Sequence, residues 1–179
     1  MKATGIVRRI DDLGRVVIPK EIRRTMRIRE GDPLEIYTSR DGEVIFKKYS
    51  LLGGVEEFAA DLCETMSRST GCTCAVTDRD TIIAVAGGSK RELLGKRISQ
   101  ELEQIMDSRR IYQHSGSDAV PVTEGNDKLR CCVAAPILAE GDLLGLVLFI
   151  SADPKDATGD TEYKLAQTIA AFLGRHMES

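Results

Sequence analysis

Apolar and charged side chains alternate at the start of this chain: Ile6, Arg8 and Ile10 fall on one side of an extended segment and Val7 and Arg9 on the other, the period of a β-strand. Asp11-Asp12-Leu13-Gly14 supplies turn residues before a second apolar run, Arg15–Ile18, so the pattern predicts a hairpin. Pro19 suits the first turn of a helix, where its missing N–H costs nothing. Ile22 and Met26 fall four apart on one helix face, and Arg23, Arg24 and Arg27 lie on the other. Gly31 is placed to cap that helix. Leu34–Thr38 and Glu43–Lys48 then read as a second hairpin around the turn pair Asp41-Gly42.

The pattern changes after Tyr49. Ser50 and the Leu51–Gly54 stretch, with its two glycines, read as a short hinge. Val55, Phe58, Ala59, Leu62 and Met66 then recur at helical spacing. A second amphipathic helix covers about 160–177, with Leu165, Ile169, Phe172 and His176 on one stripe and Asp160 and Glu162 at its acidic start. Between the two lie strand-like runs at 73–77, 81–86, 119–123, 130–139 and 143–151, with helical stretches near 90–94 and 99–109. Glu140-Gly141-Asp142 joins the last two runs as a hairpin. Terminal helices around an antiparallel sheet make an α+β domain. The expected organisation is therefore a head at 1–50, a linker at 51–54 and a second domain at 55–179.

Charge sharpens this division. The net charge is −3, but residues 1–50 carry 12 Lys and Arg against 8 Asp and Glu, while the remainder carries 13 against 20. An arginine-rich head on an acidic tail points to a polyanion at one end. Eight of the head's 12 basic residues are arginine, whose planar fork suits phosphates and the guanine edge. By charge alone the same residues fit a solvated face paired with Asp11, Asp12, Glu21 and Glu30. With few aromatic residues, the head is poorly equipped to stack on single-stranded bases. A 50-residue unit with so few large side chains needs a metal, a disulfide or a second copy to be stable. It has no cysteine or histidine, which leaves an intertwined homodimer as the expectation.

Gly5-Ile-Val-Arg-Arg, Asp12-Leu-Gly-Arg-Val-Val-Ile-Pro, Glu21-Ile-Arg-Arg and Leu34-Glu-Ile-Tyr resemble the N-terminal domain of the AbrB transition-state regulators. That resemblance implies a mainly β swapped-hairpin dimer and a regulator of bacterial development that binds double-stranded DNA. It carries the DNA-binding role onto Arg8, Arg15, Arg23 and Arg24, with Arg9 and Lys2 as further candidates. Loosely specified readers of this sort favour AT-rich, bendable sites. Related heads occur in antitoxins, where the tail would be a disordered toxin-wrapping segment, but residues 55–179 have a clear core periodicity.

Val76-Thr-Asp78, Ile83-Ala-Val-Ala-Gly-Gly, the Cys132–Leu138 strand and Gly141-Asp-Leu-Leu-Gly-Leu-Val-Leu-Phe149 are similar to a GAF domain. The resemblance implies a regulatory and oligomerising domain with room for an unidentified small-molecule ligand. Phe58, Leu62, Met66, Leu165, Ile169 and Phe172 are the expected oligomerisation residues, joining two dimers into a tetramer.

Five cysteines at 63, 72, 74, 131 and 132 lack zinc-ligand spacing. Cys131 and Cys132, as strand neighbours, point to opposite faces. Buried free thiols are the expectation, with a cysteine-dependent GAF-fold redox protein as the alternative. His114 is expected in a loop. No nucleophile, base and orienting group come together, so neither catalysis nor a cofactor is expected. Gly87-Gly88 reads as a strand exit, with an anion site at Ser89, Lys90 and Arg91 as a second reading. No apolar run approaches the ~20 residues of a membrane span and no signal-peptide core opens the chain, which predicts a cytoplasmic protein without a membrane partner.

Overall fold

The computed structural model describes residues 4–88, 90–116, 119–153 and 159–178. Two compact units divide the chain, Met1–Tyr49 and Ser50–Ser179.

In the first unit the expected hairpin of residues 6–18 is reduced to its turn. Asp11 N–H donates to Arg15 O at 3.1 Å and Gly14 N–H to Asp11 O at 3.0 Å, but no strand ladder continues on either side. The side chains that would hold such a ladder are in solvent, with Val7 85% and Val17 71% exposed. Nothing within one copy of this unit covers them.

Pro19 stands at the N-cap, and helix α1 runs Lys20–Met26. Its C-terminal cap is not Gly31 but Arg27, in the left-handed conformation at φ 50°. Ile28 N–H reaches Arg23 O at 2.8 Å and Arg27 N–H reaches Arg24 O at 3.2 Å, the paired bonds of a Schellman motif. Lys48 Nζ donates to Arg27 O at 2.8 Å and lies 3.5 Å from Asp32 Oδ2, placing a cation at the negative end of the helix.

Strands β1, Leu34–Thr38, and β2, Val44–Lys48, pair antiparallel. Their loop is longer than the two residues expected: Ser39 N–H bonds Glu43 O at 3.0 Å, and Gly42 takes φ 80°. That is a three-residue loop with a left-handed glycine.

The second unit starts at Ser50, and Leu52, assigned to a hinge by its glycine neighbours, is buried in its core. Helix α2 spans Glu56–Thr70, past the predicted end at Met66. Strands β3 (Thr73–Thr77), β4 (Ile82–Ala86), β5 (Tyr112–Gln113), β6 (Pro121–Thr123), β7 (Asn126–Ala139) and β8 (Asp142–Ser151) form one antiparallel sheet. Its order is β4-β3-β8-β7-β5, with β6 also on β7. Between β4 and β5 lie α3, Lys90–Leu93, and α4, Gln100–Asp107, and α5, Asp160–Met177, closes the chain.

Two apolar layers result. Cys63, Met66, Val76, Phe149, Ala170 and Leu173 fill the side under α2 and α5. Leu93, Ile98, Leu102, Met106, Leu146 and Leu148 fill the side under α3 and α4. Alternation along β3 and β8 sends successive residues to opposite layers. Burying a side chain of leucine or phenylalanine size contributes about 1.5–3 kcal/mol, which is why this unit holds its fold around the sheet.

Local signals explain the joints. Glu140 and Gly141 both take positive φ, 48° and 89°, as a two-residue turn between β7 and β8 requires. Asp78 Oδ1 accepts Asp80 N–H at 2.8 Å and Thr81 N–H at 2.7 Å, closing β3 onto β4. Helix α5 is capped one residue earlier than expected: Gly159 is the N-cap, and Glu162 Oε2 accepts its N–H at 2.8 Å. His114 lies in a loop, as expected, directly after β5, and donates its N–H to Cys132 O at 2.8 Å.

Candidate functional site

The arginines of the head sit on three pieces of backbone. Arg8 and Arg9 are on the extended segment before the turn, Arg15 directly follows the turn, and Arg23 and Arg24 are on α1. All five side chains are exposed. Lys2 lies outside the described residues. On α1 the carbonyls of Arg23 and Arg24 are used by the helix cap, so their backbone is fixed while both guanidinium groups face water.

Arg15 is held most closely. Asp11 Oδ2 accepts its Nε–H at 2.8 Å, and Asp11 Oδ1 accepts Arg15 N–H at 2.8 Å and Leu13 N–H at 3.0 Å. The Arg15 backbone bond, followed by its guanidinium, holds the Asp11 carboxyl below its ordinary value of 3.8. Because the folded value is depressed, these bonds are complete above the ordinary aspartate range and are lost as pH falls through the lower value. Composition and turn chemistry mark Asp11 only as a turn residue or surface counter-ion. The signal available in the sequence is the i, i+4 spacing of Asp11 and Arg15 across a turn.

In the second unit α2 and α5 place an aromatic group at the surface. The Phe58 ring lies 5.9 Å from Phe172 and 4.8 Å from His176, centroid to centroid. Phe172 is 49% exposed, and Leu62, Leu165 and Ile169 are half-buried beside the core. Met66, expected among the oligomerisation residues, is instead fully buried. The helix stripe turns inward there and Met66 belongs to the core beneath α2.

Cys63, Cys74, Cys131 and Cys132 are buried and Cys72 is half-buried, all as free thiols. Burial pushes the Cys63 thiol up to about 12, and it raises Cys74 and Cys131 as well. Thiolate is the reactive form, so iodoacetamide at pH 8 should label Cys72 alone in the folded protein, read by mass spectrometry. Rapid labelling of Cys63 or Cys131 without denaturant would contradict this packing.

Among the described residues no group of three or more His, Cys, Asp or Glu is placed to hold a metal ion, and no helix is long and apolar enough to cross a membrane. At Gly87 an added Cβ would lie 2.2 Å from Ser67 Oγ and 2.6 Å from Cys72 O, so this glycine allows a strand exit to pass close to α2. Ser89 of the second reading lies outside the described residues. A cleft of about 340 Å³ opens between α5 and β7, floored by Ile111, Ala135, Pro136 and Leu138 with Arg109 and Arg175 at its walls.

An exposed arginine-bearing head joined to an α+β tail with a central antiparallel sheet is the build of a DNA-binding transcription regulator. Residues 54–178 match the family model described as stage V sporulation protein T C-terminal, transcription factor, and residues 7–50 match a model for the MazE antitoxin group. The chain belongs to the stage V sporulation protein T family of transcription factors. It is 50% identical to stage V sporulation protein T of Bacillus subtilis over 179 residues, 99% of each chain. Over 49 residues it is 63% identical to transition state regulatory protein AbrB of Bacillus subtilis, covering 27% of this chain and 50% of that one. A solved type II free methionine-R-sulfoxide reductase from Thermoplasma acidophilum covers 69% of this chain and 94% of its own, with 12% identity and a TM-score of 0.51. That likeness is one of fold.

Proposed function

We propose that the chain reads AT-rich duplex DNA as a swapped-hairpin dimer, through Arg8, Arg15, Arg23 and Arg24 with Arg9 beside them, and that the tail joins dimers into a tetramer. The observation that carries the head reading is the coincidence of exposed arginines with exposed strand-forming side chains on one small unit. Val7, Ile10, Val16 and Val17 are apolar, exposed and unpaired in one copy, and the segments carrying them flank the Arg15 turn. Pairing with a second copy would bury them and double the number of basic residues. The aromatic group of Phe58, Phe172 and His176, with Leu62, Leu165 and Ile169 around it, supports the tail reading, since such a face is costly to leave in water. The cleft against α5 has an apolar floor and charged walls, as small-molecule sites do, and supports a sensing role. Burial holds Cys63, Cys74 and Cys131 as thiols, which supports reading the tail as a domain for binding and assembly.

The test is Phe172→Glu in the full-length protein, with light-scattering mass and binding to an AT-rich duplex measured across a salt series. Phe172 is half exposed, so a glutamate there need not disturb the core. The expected mass falls from that of a tetramer to that of a dimer, while each dimer keeps a steep negative salt dependence of DNA affinity. An unchanged mass would remove the tail helices as the tetramer contact. Salt-independent or absent binding would remove the head reading.

A further inference from the structure

The two turns of the head are built alike. In each, a residue pairs through its N–H with the carbonyl four residues on: Asp11 with Arg15 at 3.1 Å and Ser39 with Glu43 at 3.0 Å. In each the residue before the closing one is a left-handed glycine, Gly14 at φ 76° and Gly42 at φ 80°. The first side chain also accepts the N–H four residues on, at 2.8 Å for Asp11 Oδ1 and 3.2 Å for Ser39 Oγ.

The second turn therefore closes with one side-chain oxygen. Asp11 carries two, and Oδ2 is surplus to the turn. It accepts the Nε–H of Arg15 at 2.8 Å. Both side chains are open to solvent, Arg15 at 71% and Asp11 at 37%, so burial does not enforce the pairing. An exposed ion pair of this kind contributes little to stability. Its geometric effect is larger: with Nε held, the guanidinium loses rotamer freedom and its Nη edge projects from a fixed point beside the turn.

We propose that Asp11 is a positioning residue for DNA recognition, holding Arg15 by Nε so that the Nη edge is set for the duplex. This rests on the reading of Arg15 as a DNA-contacting residue. An acid at a DNA-binding face otherwise repels phosphate, so the two roles of Asp11 predict opposite signs. As a mere surface acid, its removal strengthens binding. As the positioner of Arg15, its removal weakens binding, because the side chain must be ordered anew on the DNA.

The experiment measures binding of full-length protein to one AT-rich duplex by fluorescence anisotropy, for wild type, Asp11→Asn, Asp11→Ser, Arg15→Ala and the double variant Asp11→Asn/Arg15→Ala. Asparagine keeps the Oδ1 acceptor and turns an N–H₂ toward Arg15 Nε, and serine copies the sister turn. Asp11→Asn and Asp11→Ser are each expected to weaken binding about 3- to 10-fold, Arg15→Ala by about 5- to 100-fold, and the double variant no more than Arg15→Ala alone. Tighter or unchanged binding by Asp11→Asn, with Arg15→Ala still weak, would overturn the positioning role and leave Arg15 in place. A double variant weaker than Arg15→Ala by the full Asp11→Asn factor would also overturn it, because Asp11 would then act on the turn and not through Arg15. Normal binding by Arg15→Ala would instead remove the reading on which the proposal stands.

Discussion

Replacing Arg23 and Arg24 together by alanine should lower affinity for duplex DNA by about 1.5 to 4 orders of magnitude, from about 1–3 kcal/mol for each arginine. The two side chains are exposed and their helix does not depend on them. Its end is held by the N–H groups of Arg27 and Ile28 and by Lys48 Nζ on Arg27 O. Alanine is the better helix former, so the melting temperature should change little while binding collapses. If the arginines bind phosphates, the slope of log affinity against log salt becomes shallower by about 0.9 for each phosphate left unneutralised. Anisotropy at four salt concentrations, with a thermal melt by circular dichroism, checks both parts. Affinity within twofold of wild type at every salt would move the binding face away from α1.

The second large effect lies in the tail. At Gly145 in β8 an added Cβ would sit 1.9 Å from Thr77 O, 2.8 Å from Thr77 C and 3.0 Å from Asp78 Cα. All three atoms are backbone, so no rotamer change can make room. Gly145→Ala must force β8 away from the end of β3 or break the turn that Asp78 closes, and should destabilise the unit by about 3 kcal/mol or more. Gly125, in the turn between β6 and β7, provides the control. It takes φ 74° but has nothing within 4 Å of an added Cβ, so Gly125→Ala should cost only the left-handed strain, about 1–2 kcal/mol. Urea unfolding of both variants separates the two causes. Equal losses would mean that the close approach of β8 to β3 is not what requires glycine at 145.

Periodicity found the elements that bury one face of their own chain. Helices α2 and α5 declare a helical period, strands β3, β4, β7 and β8, buried on both faces, show instead as continuous apolar runs, and the hairpin at Glu140-Gly141 follows from its turn residues. Short elements escaped: β5 is two residues long and too short to show alternation, and β6 begins at Pro121, two positions inside its predicted range. Leu52 escaped because two glycines follow it, and glycine count does not reveal whether a neighbouring leucine is packed. The expected strands of 6–18 show the converse. Their alternation is real, but the surface it would bury against is absent from one copy, so the period appears in sequence without a ladder in the single chain. On the head the arginines were legible as exposed cations, while the hold of Asp11 on Arg15 depends on a second carboxylate oxygen that composition and spacing do not distinguish from a turn acceptor.

Strand β8 lies between β3 and β7 in the tail sheet, and it is the last strand in the chain. Cys74 pairs with Phe149 across that joint. During synthesis, β3 can pair with β4 at once but waits for its second neighbour, β8, until most of the chain has been made. At about 5–20 residues per second, roughly 100 residues separate completion of the head from completion of β8, an interval of about 5–20 s. For that time the fully synthesised arginine-bearing head is attached to a nascent tail whose sheet lacks the strand that joins β3 to β7. Codon choice between residues 50 and 150 would set the length of that interval, and with it the exposure of the unfinished tail to chaperones and proteases.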